Sequence, residues 1–282
     1  MLDLEPHPAN TGFSWSPPPG PYRAITDDQA RAYDEVGAFL FEGAFDQATL
    51  DAVQAAIDPV EARMEAELRK LDGGKLFIAR ADAITFTTHL VTRSAVLREL
   101  VSSPPLTDLC ADLIGPDVRL YWDQAVYKKP DAEATFPWHQ DNGYAFVEPQ
   151  QYLTCWIALT DATEDNGCPK VVPGIHRTGT LSHRLTDAGY VCLDDPPGAV
   201  PVPARAGDIV VFSSLTPHCT GPNLTDGVRK AYIVQYAPEG AAVVATADDG
   251  TTTRTPATDP RRQFPVLAGG ERVAPPDGRV LG

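Results

Sequence analysis

Polar and apolar residues change their spacing near residue 117. Before it, apolar positions recur at helical intervals. Thr26 stands as an N-cap ahead of Asp27, Asp28 and Gln29, and the pattern predicts a helix over 30–36. Residues 37–41 read as a short strand. A longer helix starts at Asp46, with Leu50, Val53, Ala56, Ile57 and Val60 on one face, and runs through Leu68 until Asp72-Gly73-Gly74 stops it. A further helical stretch covers about 94–113, interrupted at Pro104-Pro105 and closed by Gly115-Pro116.

After residue 117 the period falls to two. Residues 118–128, 152–159, 207–212 and 230–236 alternate and are rich in β-formers, with turn signals between them such as Asp165-Asn166-Gly167 and Pro173-Gly174. Helices followed by many short strands predict a mainly β unit with flanking helices, its core a sandwich or barrel. The expected division is an arm over 1–24, a single domain over 25–239 and a loop-rich tail over 240–282. Within that domain, 25–116 is helical and 117–239 is the β core. The arm, rich in Pro and Gly, is either disordered or laid along the surface.

With 282 residues, 43% hydrophobic and 22% charged, the chain is ordinary globular material that can bury a large core. No apolar run approaches the roughly 20 residues that span a bilayer. The first twenty residues have neither a basic nor an apolar signal region. The expectation is a soluble, cytoplasmic protein with no membrane partner. A formal charge of −15 repels phosphate backbones, which argues against nucleic acid and mildly against a polyanionic thioester of coenzyme A. Cys110, Cys155, Cys168, Cys192 and Cys219 form no CxxC pair and fit free thiols in a reducing compartment. Oligomeric state is not legible in the sequence.

Candidate chemistry gathers at Trp138-His139-Gln140-Asp141. Residues two apart on an extended strand face the same way, so His139 and Asp141 project together. His218, arriving from a distant strand end, would complete a set of two imidazoles and one carboxylate. That set, with positions left open, suits non-haem Fe(II). A His-x-Asp triplet alone also fits an ordinary hydrogen-bonded pair; the strand and Pro-containing turn before it, and the strand over 207–212 leading to His218, favour the metal. Arg229 heads the strand over 230–236. An arginine fork holds a carboxylate by two parallel charge-assisted bonds, as a 2-oxoacid cosubstrate requires, and Thr220 offers a hydroxyl nearby.

With these residues in this order, the sequence resembles the phytanoyl-CoA dioxygenase (PhyH-like) family of Fe(II)/2-oxoglutarate-dependent oxygenases over roughly residues 26–238. The likeness rests on Trp138-His139-Gln140-Asp141-Asn142-Gly143, on Asp165-Asn166-Gly167-Cys168 leading into Val172-Pro173-Gly174-Ile175-His176-Arg177, on 207–212, and on His218 through Arg229. Where the family usually has Pro-Gly-Ser-His this chain has Pro-Gly-Ile-His. The resemblance implies a double-stranded β-helix (a cupin-like jelly roll) with N-terminal helices packed on its larger sheet. It implies Fe(II) on His139, Asp141 and His218, and 2-oxoglutarate with its far carboxylate on Arg229 and Thr220, near Trp156 and Lys129. It implies O2 as the oxidant, with succinate and CO2 released and no separate acid or base residue.

Gln124 is expected in the substrate pocket, with Tyr144 and Phe146 as walls. On an unbroken strand Gln124 and Lys129 lie on opposite faces, so both turn inward only if the chain bends at Pro130. His176 is expected to be structural, and His183 and His89 are not expected to be ligands. An aspartate at 141 favours hydroxylation over halogenation and leaves desaturation, cyclisation and epimerisation open. The expected substrate is a neutral, largely apolar small molecule of secondary metabolism. A fatty-acyl-CoA hydroxylase and a non-redox, cupin-like metal-binding protein are the alternatives.

Overall fold

A computed structural model describes residues 4–131, 135–247 and 249–277. α1 (Asp27–Glu35) starts behind a complete capping box, in which the Thr26 hydroxyl accepts from the Gln29 N–H while the Gln29 side chain accepts from the Thr26 N–H. β1 (Ala38–Phe41) follows. α2 (Gln47–Leu68), capped by Asp46, buries Leu50, Val53, Ile57 and Leu68 as the periodicity predicts. A small hairpin of β2 (Lys75–Leu76) and β3 (Ala79–Arg80) leads to β4 (Ile84–Thr88). α3 (Ala95–Val101) and α4 (Pro104–Leu113) are separate helices: the two prolines open the second, where no intrahelical N–H is needed.

The β core comprises β5 (Val118–Lys128), β6 (Phe136–His139), β7 (Val147–Glu148), β8 (Leu153–Ala158), β9 (Pro169–Val171), β10 (Arg184–Thr186), β11 (Gly189–Val191), β12 (Val200–Pro201), β13 (Ile209–Ser213), β14 (His218–Thr220) and β15 (Arg229–Pro238). Two antiparallel sheets carry most of these strands, while β10 pairs only with β11 and β7 lies in a separate small sheet. The larger runs β1-β13-β8-β15-β5-β4-β3-β2 and the smaller β12-β9-β14-β6. This is the expected double-stranded β-helix. Strand alternation divides the larger sheet into two faces. Cys155, Ile157, Ile209, Val211, Tyr232 and Val234 pack outward with Leu50, Ile57, Leu97 and Leu109 of the helices. Trp156, Val210, Phe212, Ala231 and Ile233 face inward and meet Val171 of the smaller sheet.

The alternation of β5 is reset once. Gln235 pairs with Trp122 and Tyr236 with Leu120, so Tyr121 is the extra residue of a bulge. Leu120 packs with the helices, whereas beyond the bulge Gln124 and Val126 face the interior.

Two terminal stretches depart from simple loops. The N-terminal arm lies along the surface: Thr180 O accepts from the His7 N–H, Trp15 Nε1 donates to Asp34, and the Asp112 carboxylate gathers the N–H groups of Arg23, Ala24 and Ile25. After residue 240, expected to be loop-rich, come β16 (Ala242–Thr246), β17 (Thr252–Pro256), β18 (Pro265–Ala268) and β19 (Glu271–Arg272). β18 joins the larger sheet at Val118 and Arg119 of β5, an edge that β4 does not reach, and buries Val266 and Leu267 in the helix-side core. The physical reason is an unpaired strand edge that another segment can complete. All five cysteines are free. Among the described residues no helix is long and apolar enough to cross a membrane.

Candidate metal and cosubstrate site

His139 ends β6 and His218 begins β14, and the two are directly opposed in the ladder between these strands, with ring centroids 4.1 Å apart. Asp141 follows at the turn. One ligand atom from each of the three lies within 4.8 Å of the others, the only such group among the described residues. Each imidazole turns its Nδ1 to a backbone carbonyl, His139 to Pro137 O at 2.8 Å and His218 to Thr216 O at 3.0 Å. With a proton on each Nδ1, both Nε2 lone pairs are left free, 3.9 and 3.8 Å from Asp141 Oδ1. Burial, and then the neighbouring His218, hold His139 well below its ordinary pKa, so it stands ready as a neutral ligand.

The surroundings lock this geometry. Thr154 Oγ1 donates to Asp141 Oδ2 at 2.5 Å, orienting the carboxylate. Gln140, between the ligands and fully buried, donates to Gly179 O and Leu215 O and accepts from the Leu181 N–H. Asn142 bonds Thr180 and Val147. His183 Nε2 accepts from the Gln140 N–H, and its ring presses so closely on Gly143 that a Cβ there would lie 2.0 Å from Cε1. His183 is therefore a buttress, as His176 is through Asp34 O. His89 bonds Arg262 and packs edge-on to Trp122.

Arg229 is buried, and its Nε, Nη1 and Nη2 have no hydrogen-bond partner. Burial lowers its pKa to about 10, still a cation at neutral pH. Its guanidinium lies 5.2 Å from the Trp156 ring centre, and a chamber of about 40 Å³ is lined by Arg229, Trp156, Thr220, His139, Asp141 and His218 among others. A buried cation with no partner is costly, and a bound carboxylate would satisfy it.

Lys129 is not in this chamber. Its ammonium pairs with Glu65 at 2.7 Å and Glu61 at 3.4 Å on α2. The bend at Pro130 does not turn Lys129 inward, and its side chain keeps the helix-side direction that strand parity gives. Lys128 takes the inward place instead: it is fully buried, directly opposite Arg229, and donates to the carbonyls of Thr220 and Gly221. Parity was the available signal, since Lys128 is an even number of residues from Gln124.

Gln124 and Tyr144 line a second cavity of about 480 Å³ that shares His139 and Asp141 with the chamber. Phe146, expected as a wall, does not reach it. That ring stacks on His7 of the arm at 4.7 Å, because the chain turns away into β7 after Tyr144.

Comparison with known proteins follows the same lines. The family profile described as Phytanoyl-CoA dioxygenase (PhyH) matches residues 33–231. A methylphosphonate hydroxylase of Gimesia maris is 32% identical over 53% of this chain, and the match spans 57% of that protein's length. A probable phytanoyl-CoA dioxygenase of Caenorhabditis elegans is 27% identical over 82% of this chain and 81% of its own. Among solved structures, the non-haem α-ketoglutarate-dependent carbocyclase SnoK from nogalamycin biosynthesis superposes with a TM-score of 0.64 and 25% identity, covering 84% of this chain and 96% of SnoK.

Proposed function

The chain belongs to the phytanoyl-CoA dioxygenase family, and from that premise we propose that it is an Fe(II)- and 2-oxoglutarate-dependent dioxygenase. The reaction is oxidation, foremost hydroxylation, of a C–H bond in a small, largely apolar molecule of secondary metabolism. One observation carries the reading: the buried, unpartnered Arg229 guanidinium shares a chamber with two Nε2 lone pairs and a carboxylate. That donor set suits a ferrous ion, and the cation suits the far carboxylate of a 2-oxoacid.

In this reading His139, Asp141 and His218 hold Fe(II), and Arg229, with Thr220 and Trp156 beside it, holds 2-oxoglutarate. When bound, the pair supplies with O2 the oxidising power for C–H cleavage: one oxygen atom enters the product, the other enters succinate, and CO2 leaves. The protein's own part is positioning. Thr154 fixes the Asp141 carboxylate, and the two carbonyl-bound Nδ1 atoms fix the imidazole planes. The Lys128 amine braces the Thr220–Gly221 backbone at the chamber wall. SnoK, named as an α-ketoglutarate-dependent carbocyclase from nogalamycin biosynthesis, supports both the cosubstrate and the metabolic setting.

A non-redox metal protein has no use for a buried arginine aimed beside its ligands. A coenzyme A thioester would need basic groups, and no Lys or Arg lines the larger cavity among the described residues. The test is succinate formation from 2-oxoglutarate with Fe(II), stoichiometric with product and abolished in His139→Ala. Undiminished turnover in that variant refutes the site.

A further inference from the structure

The larger cavity holds polar groups that the protein itself leaves unused. Trp122 Nε1 donates to Gln124 Oε1 at 3.2 Å. An indole N–H can only donate, so this bond fixes the amide's orientation and leaves both N–H groups of Gln124 Nε2 free. Tyr121, turned to the cavity by the bulge in β5, meets Tyr152 edge-on at 5.3 Å. Both rings are more than nine-tenths buried, and neither hydroxyl has a hydrogen-bond partner among the described residues. Burial pushes the Tyr121 phenol up to about 12 and the Tyr152 phenol well above its usual value, so both stay protonated donors.

Around these donors the walls are large and mostly apolar: Trp122, Phe86, Phe136, Tyr144, Ile78 and Met64. The one carboxylate facing the space is Asp141, and besides His139 no basic side chain, neither Lys nor Arg, lines it among the described residues. An anion would give up its water in a space where no Lys or Arg side chain replaces it. A cation would meet N–H and O–H donors pointing their positive ends at it. An oxygen acceptor on an uncharged molecule satisfies the donors, and flat rings satisfy the aromatic walls.

We infer that this cavity takes an uncharged, ring-bearing substrate and grips it through an oxygen acceptor, with Gln124 Nε2 and the Tyr121 and Tyr152 hydroxyls as donors. The inference rests on the oxygenase reading only for the direction in which the bound molecule faces the metal ligands. It sets this chain apart from any relative whose substrate is an anion.

Equilibrium dialysis under argon, on protein loaded with Fe(II) and 2-oxoglutarate, tests it without turnover. The probes are 9-fluorenone, fluorene (the same rings without the acceptor), 9-fluorenone-4-carboxylate and methylphosphonate. Fluorenone is expected to bind roughly tenfold more tightly than fluorene, the value of a hydrogen bond to an otherwise unsatisfied donor. The carboxylate is expected to bind at least tenfold less tightly than fluorenone, and methylphosphonate not measurably. In Gln124→Leu and Tyr121→Phe the preference for fluorenone should shrink while fluorene binds as before, which also reports an intact cavity. Equal or tighter binding of either anion, an unchanged preference in both variants, or no saturable binding of any probe overturns the inference. Succinate release, followed separately, registers failure of the oxygenase reading without touching this result.

Discussion

Lys128 and Arg229 face each other across the β5–β15 ladder, each at most 1% exposed, and no carboxylate is paired with either among the described residues. Two neighbouring buried basic groups repel each other and have lost their water. Burial first, and Arg229 second, lower the Lys128 pKa to about 6. A bound 2-oxoacid would give the Arg229 cation the partner it lacks, whereas Lys128 already donates to the Thr220 and Gly221 carbonyls.

Arg229→Leu should weaken 2-oxoglutarate binding at least about 100-fold, since two charge-assisted bonds are lost. The same variant should leave the ligand-free protein as stable as the parent or more so, because an unpaired buried cation is gone. Thermal melts with and without 2-oxoglutarate check both. A variant that keeps the ligand-induced rise in Tm would place the cosubstrate elsewhere.

The depressed Lys128 pKa has a definite sign. An unfolded lysine keeps its proton to about 10, whereas this one releases it near 6, so between those values the unfolded chain binds more protons. Its contribution should make the protein more stable as pH rises from 6 towards 10. Lys128→Met should flatten that part of the stability curve, and Lys129→Met, which removes a surface-side partner of Glu65, should not. Urea unfolding at a series of pH values makes the comparison.

Thr154→Val keeps shape but removes the hydroxyl on Asp141 Oδ2. Metal affinity should fall about 10- to 100-fold with the fold intact. Competition with a fluorescent chelator for Fe(II) or Co(II), alongside circular dichroism, separates this from unfolding.

Gly143→Ala should be severely disruptive, because its Cβ would overlap the His183 ring. The ring can be removed: Gly143→Ala with His183→Ala should recover part of the lost stability, giving a strongly non-additive pair. Additive losses would mean that the clash is relieved by some other movement.

Much of this protein is decided locally. The capped starts of α1 and α2, the period of two in β5, β8, β13 and β15, and the placing of His139 at a strand end with Asp141 two residues on all follow from residue spacing and backbone geometry, although Asp141 itself lies in the turn after β6. Arg229 was legible for the same reason, as the head of a strand following the stretch that carries His218. These features need no knowledge of what lies across the sheet.

Other features needed the partner. Gln124 and Lys128 sit on a readable strand with Lys129 just beyond it, but only the packing of α2 against that strand determined that Lys129 meets Glu65 while Lys128 turns inward. Tyr121 joined the cavity through a bulge that exists only in the pairing with β15, and Phe146 left it because His7 offered a stacking face. After residue 240, β18 formed because β5 had an open edge to complete, and β16 and β17 formed by pairing with each other and with β7. Spacing along the chain determines which side chains share a face; which face is buried, and against what, is set by contacts between residues far apart in sequence.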